Sequence, residues 1–145
     1  MTETPTQAPA HAPAHAPVQA FSLAATYIHL RPDDSALTME GGDTFWAGIE
    51  DRHDLEQGRL MGVTAQTADW DHWERHPAGE EILTVLSGEL EIVLTTKAGE
   101  ERAVLKAGQT LIIPAGIWHR GIVRVPGDLL FITAGAGTEH RPVTL

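Results

Sequence analysis

The chain has 145 residues, no cysteine and a formal charge of −10. That length suits one domain able to bury a sizeable core, and the missing thiols exclude disulfides and thiolate sites, leaving nitrogen and oxygen ligands for any metal. The acidic balance argues against a nucleic-acid partner, because a phosphate backbone is repelled by the field of the whole molecule, and no run is apolar for long enough to span a bilayer.

The N-terminus carries neither a basic leader nor an apolar h-region, so a cytoplasmic protein without a membrane partner is expected. Residues 1–20 are dominated by Ala, Pro, Gln, Thr and His, with Pro9, Pro13 and Pro17 at every fourth position around His11 and His15. Such spacing favours an extended, polyproline-like chain that cannot bury enough surface to offset its ordering entropy. A disordered tail over 1–20 and a single domain over 21–145 are therefore expected. His11 and His15 have no third ligand nearby and read as part of the tail.

Ala24 to Leu30 and Ala36 to Glu40 read as short strands separated by the breaker Pro32-Asp33-Asp34-Ser35. After the turn Gly41-Gly42-Asp43, Thr44 to Ile49 reads as a third strand, carrying Trp46. Glu50 to Gln57 is polar and suits a single helical turn or a loop. Gly58 to Thr67 returns to strand character. His29 and His53 read as wall or surface residues.

In the next stretch the period of two places His72, Glu74 and His76 on one strand face, with Trp73 and Arg75 on the other. The parity of Trp73 favours a wall or an oligomer contact, and Trp118 faces the same objection to a pocket role. Pro77, Ala78 and Gly79 turn the chain, and Glu81 leads an apolar strand to Leu86. A hairpin with acidic and imidazole groups at its bend is the expectation. Leu90, Ile92 and Leu94 then alternate with Glu89, Glu91 and Val93, predicting a strand with one buried and one wetter face. Lys97-Ala98-Gly99-Glu100 turns into a further strand, Arg102 to Leu105.

Gly108 opens a turn, and Leu111 and Ile113 share one face of a short apolar run that Pro114 and Gly116 break before His119. Strands follow at Ile122 to Val125 and Leu129 to Thr133, around the turn Pro126-Gly127-Asp128. Gly135 to Leu145 reads as a mobile terminus, from which His140 can fold over a pocket mouth. Arg75, Arg120 and Arg124 lie near the motifs and read either as an anion pocket or, more simply, as solvated side chains. Strand follows strand with Gly and Pro turns and no long amphipathic helix. An all-β barrel or double-sheet jelly roll is the economical fold.

Two stretches, Glu74-x-His76-x4-Glu81-x6-Gly88 and Gly108-x5-Pro114-x-Gly116-x2-His119, together resemble the paired motifs of the cupin family, G-x5-H-x-H-x3-4-E-x6-G and G-x5-P-x-G-x2-H-x3-N. Glu74 stands where the first motif has its leading histidine, Ala68 where it has its first glycine, and Val123 where the second motif has its asparagine. The resemblance covers roughly the last two thirds of the chain. It implies a cupin-type double-stranded β-helix, or jelly-roll barrel, and homodimers. It also implies a metal held by His76, Glu81 and His119, with Glu74 at the substituted fourth position.

Two imidazoles and a carboxylate suit a divalent first-row metal with open coordination positions, here Fe, Mn, Ni or Zn. Glu74 is then a fourth ligand, a catalytic general base beside the ion, a hydrogen-bond acceptor for substrate, or the mark of a metal site that has decayed. The expected function is a metal-dependent enzyme acting on a small polar organic molecule, by oxygenase, isomerase or lyase chemistry. The alternative is a non-catalytic cupin that binds or senses a small-molecule ligand.

Overall fold

The structure of this protein, a computed structural model, describes residues 18–144. Most of the tail expected over residues 1–20, with His11 and His15, lies outside the described residues. Eleven strands are present among them: β1 (Thr26–Leu30), β2 (Ala36–Glu40), β3 (Arg59–Gln66), β4 (His72–Arg75), β5 (Glu81–Val85), β6 (Glu89–Thr96), β7 (Gly99–Lys106), β8 (Thr110–Ile113), β9 (Trp118–Val125), β10 (Gly127–Thr133) and β11 (Glu139–Pro142). They form a six-stranded sheet in the order β2-β1-β3-β10-β5-β8 and a five-stranded sheet in the order β11-β4-β9-β6-β7. Every pairing is antiparallel. This is the double-sheet jelly roll that the strand and turn pattern predicts.

Alternation along the strands fills the space between the sheets. Leu83 and Val85 of β5, Leu129 and Phe131 of β10, and Leu90, Ile92 and Leu94 of β6 join one buried cluster with Tyr27 and Ile113. Each such side chain contributes ~1.5–3 kcal/mol by leaving water. Among the described residues no helix is long and apolar enough to cross a membrane.

Four local expectations are corrected. Thr44 to Ile49 is not a strand: Asp43–Ala47 is a short helix, α1, followed by 3-10 turns at Ile49–Asp51 and His53–Leu55. A strand would send Phe45 and Trp46 to opposite faces, whereas one helical turn lets both reach Tyr27. The Phe45 ring meets Tyr27 edge-on at 5.1 Å, and the indole N–H of Trp46 donates to the Tyr27 hydroxyl at 3.0 Å.

Nor do β4 and β5 form a hairpin, since they belong to different sheets. The carbonyl of His76 accepts from the amide of Gly116 at 3.0 Å, and the turn after it carries the chain from one sheet to the other. The wetter face expected of β6 is covered as well. β6 is flanked by β9 and β7, and Arg124 and Arg102 from these neighbours close over Glu91. Burial reaches Glu91 and Val93 accordingly.

The fourth correction concerns the C-terminus. Instead of a mobile end, Glu139–Pro142 is an edge strand paired with β4. Arg75 and Glu139 hold it by an ion pair at 2.9 Å, and the guanidinium of Arg141 lies 4.4 Å from the Trp118 ring and 5.7 Å from the Trp73 ring. Trp73 and Trp118 are thus on the outer wall, as their parity predicts, interleaved with arginines in cation–π contacts.

Candidate metal centre

Four side chains converge where the two sheets meet. Glu81 opens β5 in the six-stranded sheet, Glu74 lies on β4 and His119 on β9 in the five-stranded sheet, and His76 sits just past the end of β4. Glu74 and His119 are direct partners in the ladder. One ligand atom from each of the four lies within 4.8 Å of all the others. His76, Glu81 and His119 are buried, and Glu74 retains 17% of its side-chain exposure. The residues picked out by spacing are therefore together, with Glu74 facing the opening.

The tautomer of His119 is fixed by its surroundings. Nδ1 lies 2.9 Å from the carbonyl of Ile117, which can only accept, so this nitrogen carries a proton. In a neutral ring Nε2 is then a bare acceptor. It nevertheless faces Oε1 of Glu81 at 3.0 Å and Oε1 of Glu74 at 3.5 Å, both also acceptors. A proton or a cation is required between them.

His76 is placed alike, although its partner is a hydroxyl that can donate or accept. Nδ1 contacts Oγ1 of Thr138 at 2.8 Å, while Nε2 is 3.1 Å from Oε2 of Glu81 and 3.4 Å from Oε1 of Glu74. Despite that proximity Nε2 has no hydrogen-bond partner among the described residues. A buried, unpartnered nitrogen beside two carboxylates is what a metal ligand presents before its ion is in place. Glu81 is oriented in turn by the Thr133 hydroxyl, which donates to Oε2 at 2.5 Å. Two imidazoles and two carboxylates form a donor set that suits a divalent first-row ion.

Without an ion, protons carry the compensation. Burial disfavours charge on every member, yet the carboxylates outweigh it at the histidines. Glu74 and Glu81 raise His76 from 6.5 to about 9 and His119 from 6.5 to about 10. Conversely, burial pushes the carboxylates up, but the imidazoles hold Glu81 below the usual range and Glu74 well below it. The carboxylates thus remain ionised and the imidazoles become their counter-charges.

Beyond the four, the structure brings two further histidines to Glu74, His140, which the sequence reading placed at a pocket mouth, and His72. His140 of β11 is the ladder partner of Glu74, and its Nε2 lies 3.5 Å from Glu74 Oε2. Its strand is short and ends in proline, so no alternation announced it. Nε2 of His72 is also 3.5 Å from that oxygen; its parity with Glu74 and His76 was the available signal. Glu74, then Asp71, raise the His72 ring from 6.5 to about 9. Trp70 stacks on His72 at 6.1 Å and 14° and turns an edge to His119. It can lie flat on β9 because Gly121 is beneath it, where a Cβ would fall 2.7 Å from the indole.

The arginines near the motifs are engaged elsewhere. Arg75 pairs with Glu139, Arg124 with Glu91, and Arg120 lies over Trp73. His29 is buried in the wall, with Nε2 2.6 Å from the carbonyl of Gln57, while His53 is exposed beside Glu56.

Residues 60–134, just over half of the chain, match a family model described as a cupin domain. All four converging side chains fall within the matched span; His140 falls beyond it. The uncharacterized protein YdbB of Bacillus subtilis (strain 168) is 46% identical over 54 residues, covering 37% of this chain and 44% of that relative. This chain therefore matches less than half the length of that relative. A cupin-2 domain containing protein from Shewanella frigidimarina is 20% identical over 51% of this chain and 68% of that one, with a TM-score of 0.45. The hydroxypropylphosphonic acid epoxidase of S. wedmorenis, in complex with fosfomycin, is 21% identical over 52% and 43% of the two chains, with a TM-score of 0.45.

Proposed function

Because this chain belongs to the cupin domain family, we propose that Glu74, His76, Glu81 and His119 hold one divalent metal ion, of iron, manganese, nickel or zinc. On this reading the protein is a metal-dependent enzyme acting on a small polar organic molecule, with oxygenase, isomerase and lyase chemistry as the candidate classes. The observation that carries it is the convergence of the four: one ligand atom from each lies within 4.8 Å of all the others, and among the described residues the buried Nε2 of His76 has no hydrogen-bond partner. A bound ion of this kind supplies Lewis acidity, or a site for dioxygen if it is ferrous.

The chain's own residues divide the remaining work. Ile117 and Thr138 turn the two imidazoles so that Nε2 faces inward, and Thr133 sets the carboxylate of Glu81. Of the roles open to Glu74, ligation has the better support, because its Oε1 lies 3.4 Å from Nε2 of His76 and 3.5 Å from Nε2 of His119, within the same cluster of ligand atoms. A substrate would enter past His72 and His140, the exposed side of Glu74, while Trp70 and the sheet walls keep water from the other side.

The deciding experiment is metal analysis of protein purified without an affinity tag. At least one stoichiometric ion, lost with chelator and regained from iron, manganese, nickel or zinc and dependent on Glu81, is expected. Absence of stoichiometric metal with no regain would defeat the proposal. In that case the second reading applies, a non-catalytic binding or sensing cupin, which the raised imidazoles favour because protons alone then satisfy the carboxylates. Thermal stabilisation by small polar ligands in metal-free protein, without turnover, would be its signature.

A further inference from the structure

Glu74 has two carboxylate oxygens, and they face different companies. Oε1 is directed to His76 and His119, at 3.4 and 3.5 Å, while Oε2 is 3.5 Å from Nε2 of both His72 and His140. We propose that His72, Glu74 and His140 form a second divalent-metal site at the mouth of the first, with Glu74 as the carboxylate bridge between two ions. The bridge rests on the inner ion proposed above; the outer site does not.

Three observations support the outer site. Ligand atoms of the three residues lie within 4.8 Å of one another, and bonds of about 2.0–2.1 Å in a tetrahedral shell set neighbouring ligands about 3.3 Å apart, close to the 3.5 Å seen. Separations of 3.5 Å are, by contrast, at the outer limit of a hydrogen bond.

The second is Nδ1 of His72, which lies 2.8 Å from Oδ1 of Asp71. A carboxylate on the far nitrogen fixes the tautomer that leaves Nε2 bare, as metal-ligating histidines require. Trp70 stacks on the same ring and holds its plane.

Third, the ligands come from adjacent strands in register. His140 is opposite Glu74 and Pro142 opposite His72 in the β4–β11 ladder, so the edge strand delivers its imidazole directly across from the bridging carboxylate. The rings of His72 and His140 are 5.1 Å apart. Two imidazoles and one carboxylate select zinc, copper(II), nickel or cobalt over calcium or magnesium. With His140 57% exposed, the remaining coordination positions are open to water or to a substrate oxygen.

The test is a metal titration of the full-length, untagged chain, with His11→Ala and His15→Ala substituted so that tail imidazoles do not contribute. Cobalt(II) is added to chelator-treated protein and followed by visible absorption and calorimetry, then zinc by competition. Two equivalents are expected. His140→Ala and His72→Ala should each weaken one of them by about 100-fold or more and leave the other, and Asp71→Asn should weaken it by about 10-fold. Glu81→Gln should remove the other equivalent and spare the His140-dependent one. A single equivalent that His72→Ala and His140→Ala leave unchanged overturns the outer site. A single equivalent that His140→Ala abolishes and Glu81→Gln spares upholds it while refuting the inner reading. Both histidines are partly exposed, so unchanged circular dichroism confirms that the variants fold.

Discussion

Nε2 of His119 and Oε1 of Glu81 stand 3.0 Å apart across the seam between the two sheets, one on β9 and the other on β5. Since the opposite nitrogen of the ring donates to Ile117, whatever closes that gap must come from solution. A proton and a metal ion therefore compete for the same place.

That competition gives opposite pH trends for stability and for metal affinity. In the ion-free protein His76 and His119 are raised from 6.5 to about 9 and about 10, so their contribution is full below pH 6.5 and is lost as the pH rises through those values. Glu74 and Glu81 are lowered from 4.5, so theirs is full above pH 4.5 and is lost on acidification. The ion-free protein should melt highest between about pH 4.5 and 6.5 and lower toward pH 9, whereas metal should bind more tightly over that same rise. Calorimetric melts with chelator, beside metal titrations, check both signs. A melting temperature that climbs from pH 6.5 to 9 without metal would contradict the assignment.

Thr133→Val removes the hydroxyl that orients Glu81 while keeping the shape of the side chain. Metal affinity should fall by about 10- to 100-fold, and the ion-free protein should lose about 1–2 kcal/mol. Thr133→Ser should restore most of both. Competitive chelator titration and urea unfolding measure the two effects.

Gly121→Ala puts a methyl 2.7 Å from the Trp70 ring. The indole must move, giving up its 2.7 Å hydrogen bond to Gln66 and its stacking on His72. A cost of about 1–3 kcal/mol is expected, together with a shift in tryptophan emission. An unchanged emission spectrum would mean that the indole does not depend on this glycine.

Ile92→Ala tests the core away from the site. Ile92 is 0% exposed, so the truncation should cost about 2–5 kcal/mol. Metal stoichiometry should be unchanged. Denaturant melts with an unaltered slope would show that stability alone has shifted.

The cupin resemblance leads us to expect homodimers. Among the described residues the outer edges of β2 and β8 are unpaired, and Leu37 and Ile112 on these strands are exposed. Light scattering across a dilution series should report a mass near twice 15.7 kDa. A monomer at every concentration would reject the expectation.

Much of this was legible because it is local. Ala36 to Glu40 is a strand with the bounds that its breaker and turn impose, and the run from Gly108 to His119 folds as its Gly, Pro and alternation dictate. The period of two correctly put His72, Glu74 and His76 on a shared side. What alternation does not carry is the identity of a strand's neighbour. The turn after His76 reads as a hairpin bend whether the chain folds back or crosses to the other sheet, and only the competition for ladder partners decides. Trp46 and Phe45 took helical backbone for the sake of Tyr27, a residue well upstream. The strand that carries His140 was hidden for the same reason. This short edge strand is held by Arg75 and Trp73, contacts made across more than sixty positions of sequence.

The crossing between β4 and β5 has a mechanical consequence. With Glu81 rooted in one layer and Glu74 and His119 in the other, whatever draws these groups together also rivets the layers. Its departure should loosen the seam locally, while the apolar core keeps the layers joined. Amide exchange and protease sensitivity should therefore report the state of a cluster that neither technique detects directly, and they should do so in β5 and β9 together.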